Sequence, residues 1–391
     1  MTHALPLPDA DAERYSHTLT QHIAEEIKRA GGWIGFDRFM ELALYAPGMG
    51  YYSGGARKFG AAGDFVTAPE LSSLFGRTIA AQASQILALS APRIIEVGAG
   101  SGQLAADLLL ELEQCGTLPE SYGILDLSGE LRERQHATVA RRAPHLVNRV
   151  HWLDRLPEHF DGLVLANELL DAMPVHLVCW RAEGLCERGV GVDASAGKIR
   201  FVWIDRPASP RLSKAALVLA DEYDMPPDYL SEICLAAPAW VAAWADILGR
   251  GALLLIDYGF PRHEYYHPQR NAGTLMCHYR HHAHGEPFYL PGLQDITAHV
   301  DFTAIAEAGC AAGLDFLGYT TQASFLFNCG ITKVLERTPA TDTTHYLPLA
   351  NAAQKLISPA EMGELFKVIA LGKNIAEPLI GFQRGDRRAT L

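Results

Sequence analysis

Residues 93–114 read RIIEVGAGSGQLAADLLLELEQ, and the reading of this stretch decides the fold class. RIIEV is a short apolar run with β-branched residues, which predicts a strand over 93–97. GAGSG interrupts it, and QLAADLLLELEQ brings leucines back at helical spacing. The alternation recurs further along the chain. YGILDLS (122–128) predicts a second strand with ELRERQHATVARR as its helix, and VHWL (150–153), GLVLAN (162–167) and ALLLID (252–257) predict three more strands. Short strands separated by helices imply an α/β fold, a doubly wound parallel sheet with right-handed crossovers.

The glycine spacing says what the turn is for. Gly98, Gly100 and Gly102 leave room for a ligand against the backbone at a helix N-terminus. A dinucleotide loop reads GxGxxG, the longer spacing seating a pyrophosphate. Here the spacing is GxGxG with Glu96 just before it. That form suits a ligand with an amino-acid moiety and no phosphate, S-adenosyl-L-methionine (SAM), whose demethylated product is S-adenosyl-L-homocysteine (SAH). Asp126 ends the second strand 24 positions after Gly102, placed with Leu127 to receive the ribose hydroxyls. A plain strand-to-helix turn and NAD binding remain the alternatives.

The composition narrows the partners. Thirty-three basic against 45 acidic residues give a net charge of −12, with no Lys/Arg-rich run, which argues against nucleic acid. The seven cysteines include no CxxC pair, so neither a disulfide framework nor a cysteine zinc site is expected, and a reducing compartment fits. The N-terminus MTHALPLPDADAERY reads neither as a secretory signal nor as a good mitochondrial transit peptide. The longest apolar runs fall far short of the ~20 residues that span a bilayer.

Outside the alternating core, residues 13–30 predict a helix stopped at Gly31-Gly32. Thr67 and Glu70 have capping-box spacing, with Pro69 in the first turn, and open a helix carrying Leu71, Leu74, Phe75, Ile79 and Ile86. VHLVCW, GVGVD and IRFVWID predict an antiparallel meander, followed by a helical stretch around 211–249 with Trp240 and Trp244 on one face. DFLGYTTQASFLFNCG (315–330) reads as a closing hairpin and PAEMGELFKVIALGK (359–373) as a terminal helix. The expected division is an N-terminal helical cap with a cofactor-covering loop (1–90), a Rossmann-like core (91–174 and 251–335), an inserted substrate lobe (175–250, with a lid at 258–300) and a helical tail (336–391).

EVGAGSGQLAADLL, ILDLSGELRERQ, LANELLDAMPVH, LLLIDYGF and QDITAHVDFTAIA, in this order, resemble the MidA-type family of SAM-dependent methyltransferases. GDFVTAPELSSLFG (63–76) matches its N-terminal signature, and the similarity runs from about 20 to about 335. Asp126 departs from the family, whose members commonly carry Glu there. The resemblance implies a class I methyltransferase core with a large second lobe. That family includes the mitochondrial complex I assembly-factor arginine methyltransferase. It therefore implies a protein partner with a methyl-accepting arginine, such as a complex I subunit. The implied location is cytoplasmic for a bacterial chain and the mitochondrial matrix for eukaryotic relatives. A small-molecule methyltransferase and a SAM-binding assembly chaperone are the competing functions.

The remaining candidates stand at the strand ends. LVLANELLDAMPVH (163–176) stops an apolar run at Asn167, Glu168 and Asp171, and Asp257 follows the fifth strand. In a doubly wound sheet these tips edge one crevice. Asn167 and Glu168 would lie nearest the sulfonium or the acceptor, and Glu168, Asp171 and Asp257 could grip a guanidinium and take its proton. The alternative is that Asn167 and Glu168 only cap the next helix and that Asp171 is solvated. Gly63, Asp64 and Thr67 could close over the cofactor. His299 is a second candidate base, and Asp301 could cap the helix that follows. HEYYHPQRNAGTLMCHYRHHAHGEPF (263–288) holds six histidines, but no period brings three of them beside an acid, so a polar lid is expected and no metal.

Overall fold

The apolar runs pair as read. Arg93–Val97 (β1), Ser121–Leu125 (β2), Val150–Leu153 (β3), Phe160–Asn167 (β4) and Leu248–Phe260 (β5) form a parallel sheet in the order β3-β2-β1-β4-β5. The computed structural model describes residues 5–54, 67–126, 128–193, 195, 198–223 and 225–391. The chain divides into two units. One comprises Met1–Phe65, Asp171–Ala237 and Arg262–His299; the other comprises Val66–Leu170, Pro238–Pro261 and Val300–Leu391.

The second unit holds the parallel sheet; two further strands extend it, and Val300–Asp301 pairs off this path with Gly259 and Phe260 of β5. Asp315–Thr321 (β6) lies at the edge, and Phe366–Lys373 (β7) runs antiparallel between β5 and β6, with Asp257 opposite Lys367. The order is therefore 3-2-1-4-5-7-6, where a dinucleotide-binding sheet runs 3-2-1-4-5-6. Register aligns the strand tips: Val97 stands beside Leu125 and Ala166, and Ile256 beside Asn167. Whatever follows β1, β2, β4 and β5 leaves the sheet from one edge. Helix Leu74–Leu89 buries Phe75, Ile79, Ala83 and Ile86 in the same core as Leu104, Leu108 and Leu112 of helix Gln103–Gln114. Each such leucine contributes about 1.5–3 kcal/mol on burial.

Three expectations fail here. The predicted terminal helix over 359–373 is a single turn, Met362–Leu365, followed by β7, so the tail expected as helical supplies a sheet strand. An apolar run such as FKVIALGK, covered on both faces, has no period by which to separate strand from helix. The predicted hairpin over 315–330 is β6 followed by helix Gln322–Asn328, because Thr321 caps that helix by accepting from the Ser324 N–H. The helix opened at Thr67 ends at Leu71, Ser72 is extended, and a new helix starts at Leu74.

The first unit begins with helix Ala10–Arg29. Asp9 caps it, Leu19, Ile23 and Ile27 are buried, and Gly31 and Gly32 follow in left-handed conformations. The predicted meander is present: His176–Arg181, Gly184–Asp193 and Arg200–Pro207 pair antiparallel. The 211–249 stretch is not all helix, since Tyr229–Ile233 joins the sheet beside His176–Arg181. The histidine-rich segment folds into a hairpin of Met276–Tyr279 and His282–His284, turned by Arg280 and His281 at φ 46° and 63° and flanked by Asp295–Thr297. Among the described residues no helix is long and apolar enough to cross a membrane.

Candidate active site

Glycine is obligatory in the loop after β1, for reasons the spacing only half conveyed. Gly98, Gly100 and Gly102 take φ of 70°, 52° and 79°, a region that L side chains avoid. A Cβ on Gly102 would stand 2.8 Å from Gln135 Cα, and one on Gly98 would stand 3.0 Å from Leu169 Cδ1. Part of the room that glycine leaves is taken up by the protein's own packing. The Gly98 N–H donates to Leu125 O at 3.0 Å, fixing the loop to the end of β2.

Two carboxylates flank this loop. Glu96 is buried in β1 and accepts from the Tyr122 hydroxyl at 2.7 Å. Burial pushes its carboxyl up to about 7, the Tyr122 bond opposing and the nearby charge of Asp126 adding to the rise. Asp126 follows β2 and is 8% exposed. Its Oδ1 accepts from the Ser128 N–H at 3.0 Å and its Oδ2 from Gln135 Nε2 at 2.8 Å. An ionised carboxylate has about four acceptor positions, so it accepts hydroxyl donors alongside such bonds. Thr67 makes no capping bond with its side chain, and Glu70 instead accepts from the Ser101 hydroxyl, tying the turn of Ala68–Leu71 to the glycine loop.

At the tip of β4, Asn167 Nδ2 donates to Glu168 Oε1 at 3.0 Å, while the buried Asn167 Oδ1 has no hydrogen-bond partner among the described residues. Glu168 has φ 51°, a left-handed conformation rare for a residue with a side chain. It is held there from β5. Its N–H donates to Ile256 O at 2.9 Å, and Asp257 Oδ2 accepts from the Leu169 and Leu170 N–H groups at 3.1 and 2.8 Å. Asp257 is 1% exposed, and its Oδ1 accepts from the Tyr258 N–H at 2.9 Å. These bonds make Asp257 the clamp on the turn that presents Glu168.

The boundary between units falls after Leu170, so Asp171 and His299 belong to the first unit. There the Asp171 carbonyl accepts from the Ala298 N–H at 3.0 Å, and the His299 N–H donates to Thr274 Oγ1 at 3.0 Å. Asp301 caps its helix by accepting from the Ala304 N–H at 3.1 Å. Gly63, Asp64 and Leu127 lie outside the described residues. In the histidine hairpin, burial pushes His278 and His284 below their ordinary values. Among the described residues, the ligand atoms of Asp37, His176 and Glu187 lie close enough together to hold a metal ion. There His176 Nδ1 stands 2.9 Å from Glu187 Oε1 and 3.4 Å from Asp37 Oδ1, an imidazole set between two carboxylates.

Sequence reading missed Gln135, Trp152 and Tyr122. For Gln135 a signal existed: it falls on the buried stripe Leu131, Gln135, Thr138 and Val139 of helix Gly129–Arg142, where an amide is out of place.

An inserted antiparallel seventh strand, a GxGxG loop without pyrophosphate spacing and an acid one strand away define a class I SAM-dependent methyltransferase. The orphaned Asn167 Oδ1 and the loop's backbone at a helix N-terminus fit such a cofactor. The comparisons agree. Residues 74–320 match the family described as "putative S-adenosyl-L-methionine-dependent methyltransferase", and the chain belongs to that family. It is 30% identical to "Protein arginine methyltransferase NDUFAF7, mitochondrial" of Danio rerio, over 90% of this chain and 86% of that one. The Homo sapiens protein of the same name is 27% identical, with 92% and 84% covered. A solved structure from Burkholderia thailandensis, bound to S-adenosyl-homocysteine, superposes with a TM-score of 0.95 at 56% identity, over 99% of this chain and all of that one.

Proposed function

We propose that this methyltransferase acts on an arginine of a protein partner, with Glu168 gripping the guanidinium. The observation that carries the reading is the strained, clamped conformation of Glu168 at the tip of β4, beside Asn167, whose Oδ1 has no partner among the described residues. Non-glycine residues in such conformations cluster where geometry serves function. The arginine acceptor is supported by the names of the mitochondrial relatives, which this chain matches over more than four-fifths of their length. A complex I subunit as partner is what the family resemblance adds.

Bound SAM supplies a methyl group on a sulfonium, an electrophile that needs no covalent help from the protein. The chain's task is positioning. Asp126 and the loop Gly98–Gly102 receive the nucleoside, and Asn167 Oδ1 accepts an N–H from ligand or acceptor. A free guanidinium stays protonated above pH 12 and is a poor nucleophile. Glu168 localises its positive charge on one side, leaving the opposite nitrogen to attack in line. As the N–C bond forms, the methyl–sulfur bond would break with neutral SAH as the leaving group, and the methylated guanidinium would shed one proton from a nitrogen held by Glu168, whose carboxylate passes it to water.

The test is methyl transfer from labelled SAM into a lysate of cells lacking the protein, with the labelled species located by mass. Label on arginine of one protein, absent with Glu168→Gln, is the expected result. Label confined to small molecules, or wild-type turnover by Glu168→Gln, refutes the proposal.

A further inference from the structure

Gln135 is fully buried on the helix that follows Asp126. A buried amide lowers stability unless its polar atoms are bonded, and those of Gln135 are bonded in a telling pattern. Nε2 donates to Asp126 Oδ2 at 2.8 Å and to the Gly100 carbonyl at 3.1 Å, while Oε1 accepts from the Trp152 indole N–H at 2.9 Å. An indole N–H can only donate, and an ionised carboxylate and a carbonyl can only accept. The amide therefore has one allowed orientation, enforced from three sides. The backbone is fixed as well, because Gly102 approaches Gln135 Cα too closely to admit a Cβ. One side chain thus bridges the glycine loop after β1 and the carboxylate after β2.

We propose that Gln135 is a positioning residue for cofactor binding, holding the Gly100 carbonyl and the Asp126 carboxylate in the geometry that receives the ribose hydroxyls. This rests on the reading of Asp126 as the ribose acceptor. Trp152 is the outer member of the relay and keeps the amide from turning over. Preorganising an acceptor in this way raises affinity by removing the cost of ordering it on binding.

The test is calorimetric titration of the full chain with SAH, which needs no methyl acceptor. Gln135→Leu removes both donors, and affinity is expected to fall about 10- to 100-fold, as for lost bonds to a charged group. A 2′-deoxy analogue of SAH separates positioning from general damage. In the wild type the missing hydroxyl weakens binding; in the variant, whose Asp126 Oδ2 has lost its bond from the helix while Oδ1 keeps the one from Ser128, that penalty shrinks, so the two changes are not additive. A merely structural role would weaken both ligands by the same factor, and that result overturns the proposal. Gln135→Met, unbranched and closer in shape, is measured alongside in case the leucine variant unfolds. With labelled SAM, KM is expected to rise by a larger factor than kcat falls. Wild-type binding of SAH with unchanged binding by both variants overturns the tie alone; no binding of SAH by the wild type overturns the cofactor site and the tie with it.

Discussion

Replacing Glu168 by glycine and, separately, by alanine exposes the strain at the tip of β4. Both variants lose the bond from Asn167 Nδ2, so that loss cancels between them. Alanine keeps the left-handed backbone at φ 51°, held by Ile256 O and the Asp257 clamp, at a cost of about 1–2 kcal/mol for a residue with a Cβ. Glycine removes that cost but brings greater freedom to the unfolded chain, about 0.5–1 kcal/mol against it. The difference leaves the glycine variant more stable than the alanine variant by up to about 1.5 kcal/mol, the reverse of the usual order at an ordinary position. Urea denaturation without cofactor, followed by tryptophan fluorescence, reads the difference as a shift in midpoint at constant slope. Methyl transfer is expected to fall about 10²- to 10⁴-fold in both variants, the range for losing a positioned proton acceptor. An alanine variant at least as stable as the glycine variant would show that the conformation is not strained. Retained turnover in both would remove Glu168 from the chemistry.

Two further outcomes follow from the same geometry. Burial raises the Glu96 carboxyl from an ordinary 4.5 to about 7, so its protonated form is favoured by folding. That contribution is fully present below pH 4.5 and is lost as pH rises through 7; the shift of 2.5 corresponds to about 3 kcal/mol at 1.36 kcal/mol per unit. Glu96→Gln keeps an acceptor for Tyr122 and never ionises, so its stability relative to wild type should climb between about pH 5 and 7 and level off above. A flat difference across that window would show that Glu96 is not held protonated. Gly102→Ala places a methyl 2.8 Å from Gln135 Cα at φ 79°, with backbone on both sides unable to yield. It is expected to destabilise the protein by about 2 kcal/mol or more and to weaken SAH binding; wild-type midpoints in denaturation would contradict that packing.

The class of fold was legible because its signals are local. Each βα unit carries its own period, and the loop EVGAGSG states its φ requirements in glycines. Asp126, Asn167 and Glu168 could be placed at strand ends for the same reason: a strand ends where its apolar run ends. Capping by Asp301 was likewise readable from one residue and its neighbours.

What the chain alone could not decide is how distant segments meet. FKVIALGK becomes a strand because β5 and β6 offer hydrogen-bonding edges on both sides of it, and nothing within those eight residues records those edges. Asp257 clamps a turn 87 and 88 positions away, so its part as a backbone acceptor is invisible until β4 and β5 lie in register. Gln135 shows the same division, since the sequence marks it as a polar residue on an apolar stripe while only the packed helix reveals that loop, acid and indole converge on its amide. Local periodicity fixes elements; the satisfaction of buried polar groups, which depends on neighbours far apart in the chain, decides what each side chain is for.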